Sequence, residues 1–299
     1  MSKDAEVTAG AVLGDYLREQ AARLRELDPE VRADAPDAVH QARVTTRRLR
    51  AALAAYRPLL ERERTEPLRE ELRWLGRALG GARDAEVCRD RFASVLDALP
   101  DELILDGVRE DLVGGAEAAM QEERVRVAAA LDGERYRDLL ESLDRLAEDP
   151  PLGERASRPA ARELRRLAAK EWERASRLHA QALHAPAVAR DEAMHEARKA
   201  ARRARYGAEV AAVVLGGPAA RLAKRLKAVQ GELGDRHDAM ELAGLLRRDA
   251  VGAHAEGRST LTYGVMIQIE LDRAARADAS HGHTWSRAVK AGRRLARLP

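Results

Sequence analysis

The sequence has few residues of the kinds that cross-link chains or cross membranes. Cys88 is its only cysteine, so an intrachain disulfide cannot form and no zinc-finger spacing exists. No segment approaches the roughly 18 uninterrupted apolar residues that a membrane span needs. The N-terminal stretch MSKDAEVTAGAVLGDYL contains acids and no long apolar run, unlike a signal peptide. We therefore expect a soluble cytoplasmic protein.

Aromatic residues are also scarce, at 3% of the 299 residues. Alanine, leucine, arginine and glutamate are abundant instead, a mixture that favours long helices over strands. The catalytic signatures HExxH, GxSxG and the P-loop are absent from the sequence. We predict an all-α protein that carries no cofactor and no catalytic centre of these kinds.

The chain has almost no excess of charge of either sign. Its 53 basic residues are nearly offset by 50 acidic ones, which leaves a net charge of +3. A polyanion could therefore bind only if the basic residues are segregated onto one surface. All but six of the basic residues are arginine, whose planar guanidinium contacts phosphate in two places and stays protonated.

One predicted helix, residues 39–60, carries a cationic stripe beside an apolar stripe. The cationic stripe has the spacing 0, 3, 7 and 10 and consists of His40, Arg43, Arg47 and Arg50. These positions fall within an arc of about 80° along about 15 Å of helix axis. No carboxylate occurs in this helix, so intrahelical ion pairs cannot neutralise the stripe.

The same spacing returns 155 residues later, in His195, Arg198, Arg202 and Arg205. Other positions match at nearly the same offset, including Leu72-Arg73 with Leu226-Lys227. One duplication of this length predicts two helical bundles related by a pseudo-two-fold axis. We place the repeats at residues 1–150 and 151–299, with the linker at Asp149-Pro150-Pro151.

Two like-charged stripes need anions from elsewhere, because unneutralised charge at this density repels itself. The anions could be acidic side chains of another helix, nucleic-acid phosphates or a free polyanion. The third helix of each repeat adds candidate contacts at Arg69, Arg73, Arg77, Lys224 and Lys227. His40 and His195 are either core histidines or phosphate donors, and donors would bind more tightly as the pH falls from 7 to 6.

Two motifs, LGGARDAEV and LGDRHDAME, allow more than one interpretation. Their glycines and aspartates suit the end of one helix and the start of the next, while Arg83 and His237 could point into the site. Alternatively, His195, His237-Asp238 and either Asp249 or Asp272 could form a metal-dependent phosphohydrolase site. Against this, the first repeat has Arg83-Asp84 at the corresponding place, and arginine does not bind metals.

Proline and glycine predict where the helices end. Asp28-Pro29 ends a first helix that begins near Thr8, and Asp37 caps the basic helix, which ends near Tyr56. Further helix ends are predicted at Gly80-Gly81 and Gly234, and a single long helix over residues 102–131.

Four segments together resemble the CHAD family, the conserved-histidine α-helical domain. They are VHQARVTTRRLR, ELRWLGRALGGARDAEV, MHEARKAARRARYGAE and LKAVQGELGDRHDAM, and in this order they span nearly the whole chain. The resemblance implies two helical bundles around a basic central pore that binds inorganic polyphosphate. Several members of the family associate with polyphosphate granules. The family's pore residues carry over to His40, Arg43, Arg47, Arg50, Arg73, His195, Arg198, Arg202, Arg205, Lys224 and Lys227.

The resemblance also bears on catalysis. Many relatives carry a triphosphate-tunnel catalytic domain ahead of this unit, and that domain needs an ExExK-type strand that this sequence lacks. We therefore expect a binding protein and not an enzyme. A nucleic-acid ligand is disfavoured, because single-strand binders commonly stack bases on aromatic side chains. A protein-binding scaffold remains a further alternative.

Overall fold

The protein is all-α in the computed structural model, which describes residues 7–298, with the backbone alone at Ala187 and Asp191. The helices are α1 (Ala9–Arg32), α2 (Ala38–Ala55), α3 (Arg62–Ala78), α4 (Gly80–Leu96), α5 (Gly115–Asp132), α6 (Glu134–Glu148), α7 (Ala160–Leu183), α8 (Ala187–Leu215), α9 (Gly217–Ala255) and α10 (Leu261–Ala296). Short 3-10 helices and a π-helix at Glu110–Gly114 join them. None of the described helices is long and apolar enough to cross a membrane.

The chain forms two compact units. Within the described range, the first comprises residues up to 76, 133–230 and from 282 onward, and the second comprises 77–132 and 231–281. Helices α3, α9 and α10 each contribute residues to both units. Each unit thus draws on both halves of the sequence. The repeats predicted at residues 1–150 and 151–299 are repeats of sequence, whereas these two units are defined by contacts in the structure. The sequence duplication therefore stays a prediction.

In the first unit, α2 packs against α1 and α8, and α8 packs against α7. The apolar stripe of α2 is buried as predicted, with Leu49, Leu53 and Tyr56 fully inaccessible. The Tyr56 hydroxyl donates a hydrogen bond of 2.6 Å to the carbonyl of Gly207 in α8. A methyl group at Gly207 would lie only 3.5 Å from the Cβ atom of Ala55, so the two backbones approach closely here.

The second unit has its own apolar core. This core combines residues of α4, of the segment just before the π-helix, of the π-helix and α5, and of the parts of α9 and α10 within this unit. Its buried members are Phe92, Val95, Leu96, Val108, Leu112, Ala116, Leu242, Leu246, Ala253, Tyr263 and Met266.

Proline was a partly reliable guide to helix ends. The basic helix ends at Ala55 with Tyr56 as its C-cap, in agreement with the predicted end near Tyr56 and just before Pro58. The prediction for Asp28-Pro29 is wrong, since α1 continues to Arg32. A proline in the last turn removes only one helical hydrogen bond, and the Asp28–Arg32 pair, at 3.1 Å, stabilises that turn. Asp37 precedes α2 but makes no capping bond through its side chain.

Glycine was also a mixed guide to helix ends. The helix end predicted at Gly80-Gly81 agrees with the structure, since α3 ends at Ala78 and α4 begins at Gly80. The helix end predicted at Gly234 is wrong, because Gly234 is a buried residue inside the 39-residue α9. Neither Gly80 nor Gly234 has the positive φ of a glycine that caps a helix. Glycine also occurs inside helices where a neighbouring segment packs too closely for a side chain, so its presence alone does not predict a helix end. The long helix predicted over 102–131 is instead interrupted at Asp106-Gly107, where φ is 51° and 71°.

Candidate functional site

Both predicted cationic stripes lie in the first unit, on α2 and α8. Their eight members are all partly buried: His40, Arg43, Arg47, Arg50, His195, Arg198, Arg202 and Arg205. They occupy the helix faces next to the buried stripes, which explains why they are neither in the core nor fully in water. Because these side chains are partly shielded from water, the electrostatic interactions between their charges are stronger than on an open surface.

Tyr206 joins the two stripes. It is buried on α8, and its hydroxyl is hydrogen-bonded to Arg47 of α2. The guanidinium of Arg205 lies over its ring, 4.9 Å from the centroid, as in a cation–π contact. One side chain thus holds an arginine of each stripe, although the sequence analysis did not single it out.

Arg43 and Arg47 of α2 lie close enough to Arg202 of α8 to affect its ionisation. The pKa of Arg202 is lowered to about 10, by burial first and then by repulsion from Arg198, Arg47 and Arg43. The pKa of Arg47 is lowered as well, by burial first and by Arg43 and Arg205, against the attraction of Tyr206. We call Arg43, Arg47, Arg198 and Arg202 the basic cluster.

Two members of the basic cluster are poorly neutralised by the rest of the protein. Among the described residues, neither Arg198 nor Arg202 forms an ion pair, and the Nε atom of Arg198 is buried without a hydrogen-bond acceptor. The charged form of each guanidinium is costly to bury unless an anion accompanies it. The arrangement therefore favours binding of an anion with several charged oxygens.

Arginines at the edge of the cluster have protein partners. Glu209 accepts from Arg205 Nε at 2.9 Å and lies 3.4 Å from Arg48 Nε. Arg205 also donates to the side chain of Gln230 in α9 at 3.2 Å. Arg203 is paired with Glu171 of α7. Arg205 is thus shared between the site and the protein's own carboxylate.

The remaining predicted contacts are more dispersed. Arg69 pairs with Glu66, and Arg73 pairs with Glu70 at 3.0 Å, each three residues away on α3. Arg50 reaches α3, where one of its Nη atoms would lie 3.8 Å from a Cβ atom at Gly76. The set's other members are exposed: Lys224 and Lys227 on α9 in the first unit, and Arg77 in the second unit.

The residues proposed for a phosphohydrolase are divided between the two units. His195 belongs to the first unit, whereas His237 and Asp238 belong to the second. In the described part of the chain, the one cluster with metal-binding spacing is His237, Asp238 and Glu241. Asp272 accepts a hydrogen bond from Gln268 at 2.8 Å, and burial raises the pKa of Asp249.

Replacing Arg202 by methionine should make the ligand-free protein more stable. The pKa of Arg202 is lowered in the folded state, so the guanidinium proton is bound more tightly in the unfolded chain. The charged guanidinium therefore destabilises the folded state, and this destabilisation is fully present below about pH 10. At pH 7 we expect Arg202→Met to raise the free energy of unfolding by about 1–3 kcal/mol, or the melting temperature by several degrees.

The neighbouring Arg203 provides the matched control for this stability measurement. Arg203→Met would leave the mostly buried Glu171 carboxylate without its cation, so it should lower the melting temperature. Thermal unfolding followed by circular dichroism compares both variants with the wild type. If the melting temperature of Arg202→Met drops as much as that of Arg203→Met, the charge of Arg202 does not destabilise the folded protein and the prediction is wrong.

A model of the CHAD domain family matches residues 15–247 of this chain. Two uncharacterized proteins of Mycobacterium tuberculosis, from strains CDC 1551 and H37Rv, are each 38% identical to it over 268 residues. These matches cover 86% of this chain and 49% of each relative. The chain thus spans about half the length of the curated relatives it matches.

Two solved structures share the fold. PptA from Streptomyces chartreusis has a TM-score of 0.76 and 21% identity, over 93% of this chain and 99% of its own. The crystal structure of the CHAD domain from the plant Ricinus communis has a TM-score of 0.65 and 23% identity, over 100% of this chain and 95% of its own. At these identities the likeness concerns the fold alone.

Proposed function

The chain belongs to the CHAD family, and on that premise we propose that it binds inorganic polyphosphate without altering it chemically. The ligand would contact the basic cluster and the flanking residues His40, Arg50, His195 and Arg205, with the lysines of α9 and the arginines of α3 at the periphery. In this proposal both predicted repeats line one basic channel. Such a protein would occur in the cytoplasm and where polyphosphate accumulates in granules.

The observation that most supports this proposal is the mutual repulsion within the basic cluster. The pKa values of Arg47 and Arg202 are lowered by burial first and then by arginines of the other helix, inside one compact unit. A linear polyanion supplies many closely spaced oxygens, and arginine forms short, charge-assisted hydrogen bonds with phosphate. Binding such a ligand would replace several repulsive contacts by attractive ones.

The composition of the cluster supports binding more than catalysis. Arginine stays protonated at neutral pH, even with the lowered pKa of about 10 at Arg202. It therefore cannot serve as a general base, and its chemistry is limited to charge and hydrogen-bond donation. The aromatic residue beside the cluster, Tyr206, is buried, so it does not offer a base-stacking surface of the kind that single-strand binders use.

A direct titration tests the proposal. The protein is titrated with polyphosphates of several chain lengths, and DNA or RNA is added as a competitor at equal phosphate concentration. We expect polyphosphate to bind and to resist displacement by nucleic acid. If His40 and His195 donate to phosphate, binding should be tighter at pH 6 than at pH 8, because imidazolium is the better donor.

Each alternative function has its own outcome in this titration. Displacement of polyphosphate by an equal amount of DNA phosphate would indicate a nucleic-acid binder. Release of orthophosphate after addition of Mg²⁺ or Mn²⁺ would indicate a phosphohydrolase. A protein that binds acidic helices and ignores polyphosphate at every length would be a protein-binding scaffold, and the proposal would then be wrong.

A further inference from the structure

A cavity in the second unit brings together metal-binding side chains that the polyphosphate proposal does not use. It has a volume of about 420 Å³ and is lined by α4 and by the part of α9 within this unit. Its polar lining includes Asp84 and Cys88 from α4, and Asp238 and Glu241 from α9. His237 adjoins Asp238 on the same helix. An imidazole and several carboxylates thus meet at one place.

The helix geometry of α9 is suited to a shared ion. His237 and Glu241 are four residues apart and therefore lie on one face, and Asp238 lies beside His237. The ligand atoms of these three residues all lie within 4.8 Å of one another. His237 Nε2 and Glu241 Oε1 are 3.3 Å apart. Two ligands of a tetrahedral zinc ion, each about 2.1 Å from the metal, are separated by about 3.4 Å.

We propose that His237, Asp238 and Glu241 bind one divalent transition-metal ion, with Asp84 of α4 supplying a further carboxylate from across the cavity. An imidazole with carboxylates suits Zn²⁺ or Mn²⁺, whereas Mg²⁺ and Ca²⁺ prefer a shell of oxygens. This inference lies wholly within the second unit and does not depend on the proposed function.

The local charge favours a cation. Asp84 of α4 and Asp238 and Glu241 of α9 line the same cavity, together with Cys88. The cavity therefore contains carboxylates from both helices, and their negative charges would attract a cation. Arg248 also lines the cavity, but it follows Glu241 by seven residues, or about 10 Å along the helix. Its positive charge would oppose a bound ion, and the carboxylates of both helices would have to outweigh it.

An ordinary side-chain interaction accounts for part of the geometry, and the experiment must separate the two. A protonated His237 would form a simple i, i+4 ion pair with Glu241 at the same distance. Such a pair needs no metal and gives no metal-dependent change in stability. A metal site gives a saturable heat of binding and raises the melting temperature with metal concentration.

Isothermal titration of the metal-free protein with Zn²⁺, Mn²⁺ and Mg²⁺, in the absence of polyphosphate, tests the site. We expect one Zn²⁺ or Mn²⁺ ion per chain at this site, weaker binding of Mg²⁺, and a metal-dependent rise in melting temperature. His237→Gln and Glu241→Gln should each weaken this binding at least about 10-fold, since each removes one ligand.

His254 provides the matched control, because it is an exposed histidine on the same helix and in the same unit. His254→Gln should leave the binding constant and the stoichiometry unchanged. The proposal is overturned if neither Zn²⁺ nor Mn²⁺ binds stoichiometrically. It is also overturned if His237→Gln binds as the wild type does, or if His254→Gln weakens binding equally. Circular dichroism of each variant checks that it folds.

Discussion

We expect polyphosphate binding to fall at least about 100-fold when Arg47 and Arg202 are both replaced by glutamate. These two arginines belong to different helices, and each is affected electrostatically by the other's stripe. A charge-assisted hydrogen bond contributes about 1.5–3 kcal/mol, so loss of two corresponds to a factor of about 10² to 10⁴. The introduced carboxylates would additionally repel phosphate. Fluorescence or calorimetric titration with polyphosphate measures the change.

The same variant should remain folded. The carboxylate introduced at position 202 would be surrounded by the remaining arginines Arg43 and Arg198, which lie close to that position, so its charge would be compensated. A control with an identical change in net charge is Arg137→Glu with Arg145→Glu, since both arginines are exposed on α6 in the first unit. Binding that survives in the first variant, or is lost equally in the control, would mean that the ligand binds another surface.

The affinity for polyphosphate should also depend steeply on salt. Each phosphate that a cation neutralises releases condensed counterions, with a slope of about −0.7 per contact for a flexible single-stranded polyanion. The basic cluster together with Lys224 and Lys227 would make about six such contacts. We expect a loss of about 300-fold in affinity between 50 and 200 mM monovalent salt. Titrations at several salt concentrations give the slope.

The lysines of α9 make this prediction specific. Lys224 and Lys227 are exposed, and replacing both by alanine should reduce the magnitude of the salt slope by about 1.4, at about 0.7 for each lost contact. The double variant Arg137→Ala with Arg145→Ala on α6 should leave the slope unchanged. A slope near zero in the wild type would exclude an electrostatic mechanism, whatever the affinity.

The sequence predicted the helical class and the placement of the two cationic stripes because both follow from local periodicity. The apolar stripe of α2 and its cationic neighbours are separated by about 100° on any helix of this sequence. Burial of Leu49, Leu53 and Tyr56 beside partly buried Arg43 and Arg47 confirms that prediction. Ligand binding by these stripes is a proposal, and the titrations described above test it.

Helix ends were harder to predict because they depend on packing between distant segments. Gly234 is buried within α9, and the burial of a residue depends on the tertiary fold and not on its local sequence alone. Local propensity alone therefore favoured a helix end where tertiary contacts maintain a helix. Pro29 gives the converse case, in which a single lost hydrogen bond is too small a cost to end α1.

The partners of the arginines were only partly visible in the sequence. The pairs Arg69–Glu66 and Arg73–Glu70 follow the i, i+3 rule and could have been read from α3 directly. The contacts of Tyr206 with Arg47 and Arg205 join residues of two helices, which no periodicity reveals. A tyrosine directly after an arginine stripe, in the segment ARRARYGAE, is nevertheless a signal worth testing in related sequences.

Glu209 accepts from Arg205 and lies beside Arg48, and in the proposed binding mode this carboxylate would compete with an incoming anion. An anion with one or two charges would gain less than a polyanion from displacing a carboxylate that lies 2.9 Å from Arg205 Nε. A polymer bound first at Arg202 would be held near Arg205 at a high effective concentration. The competition would then favour long, densely charged anions over orthophosphate.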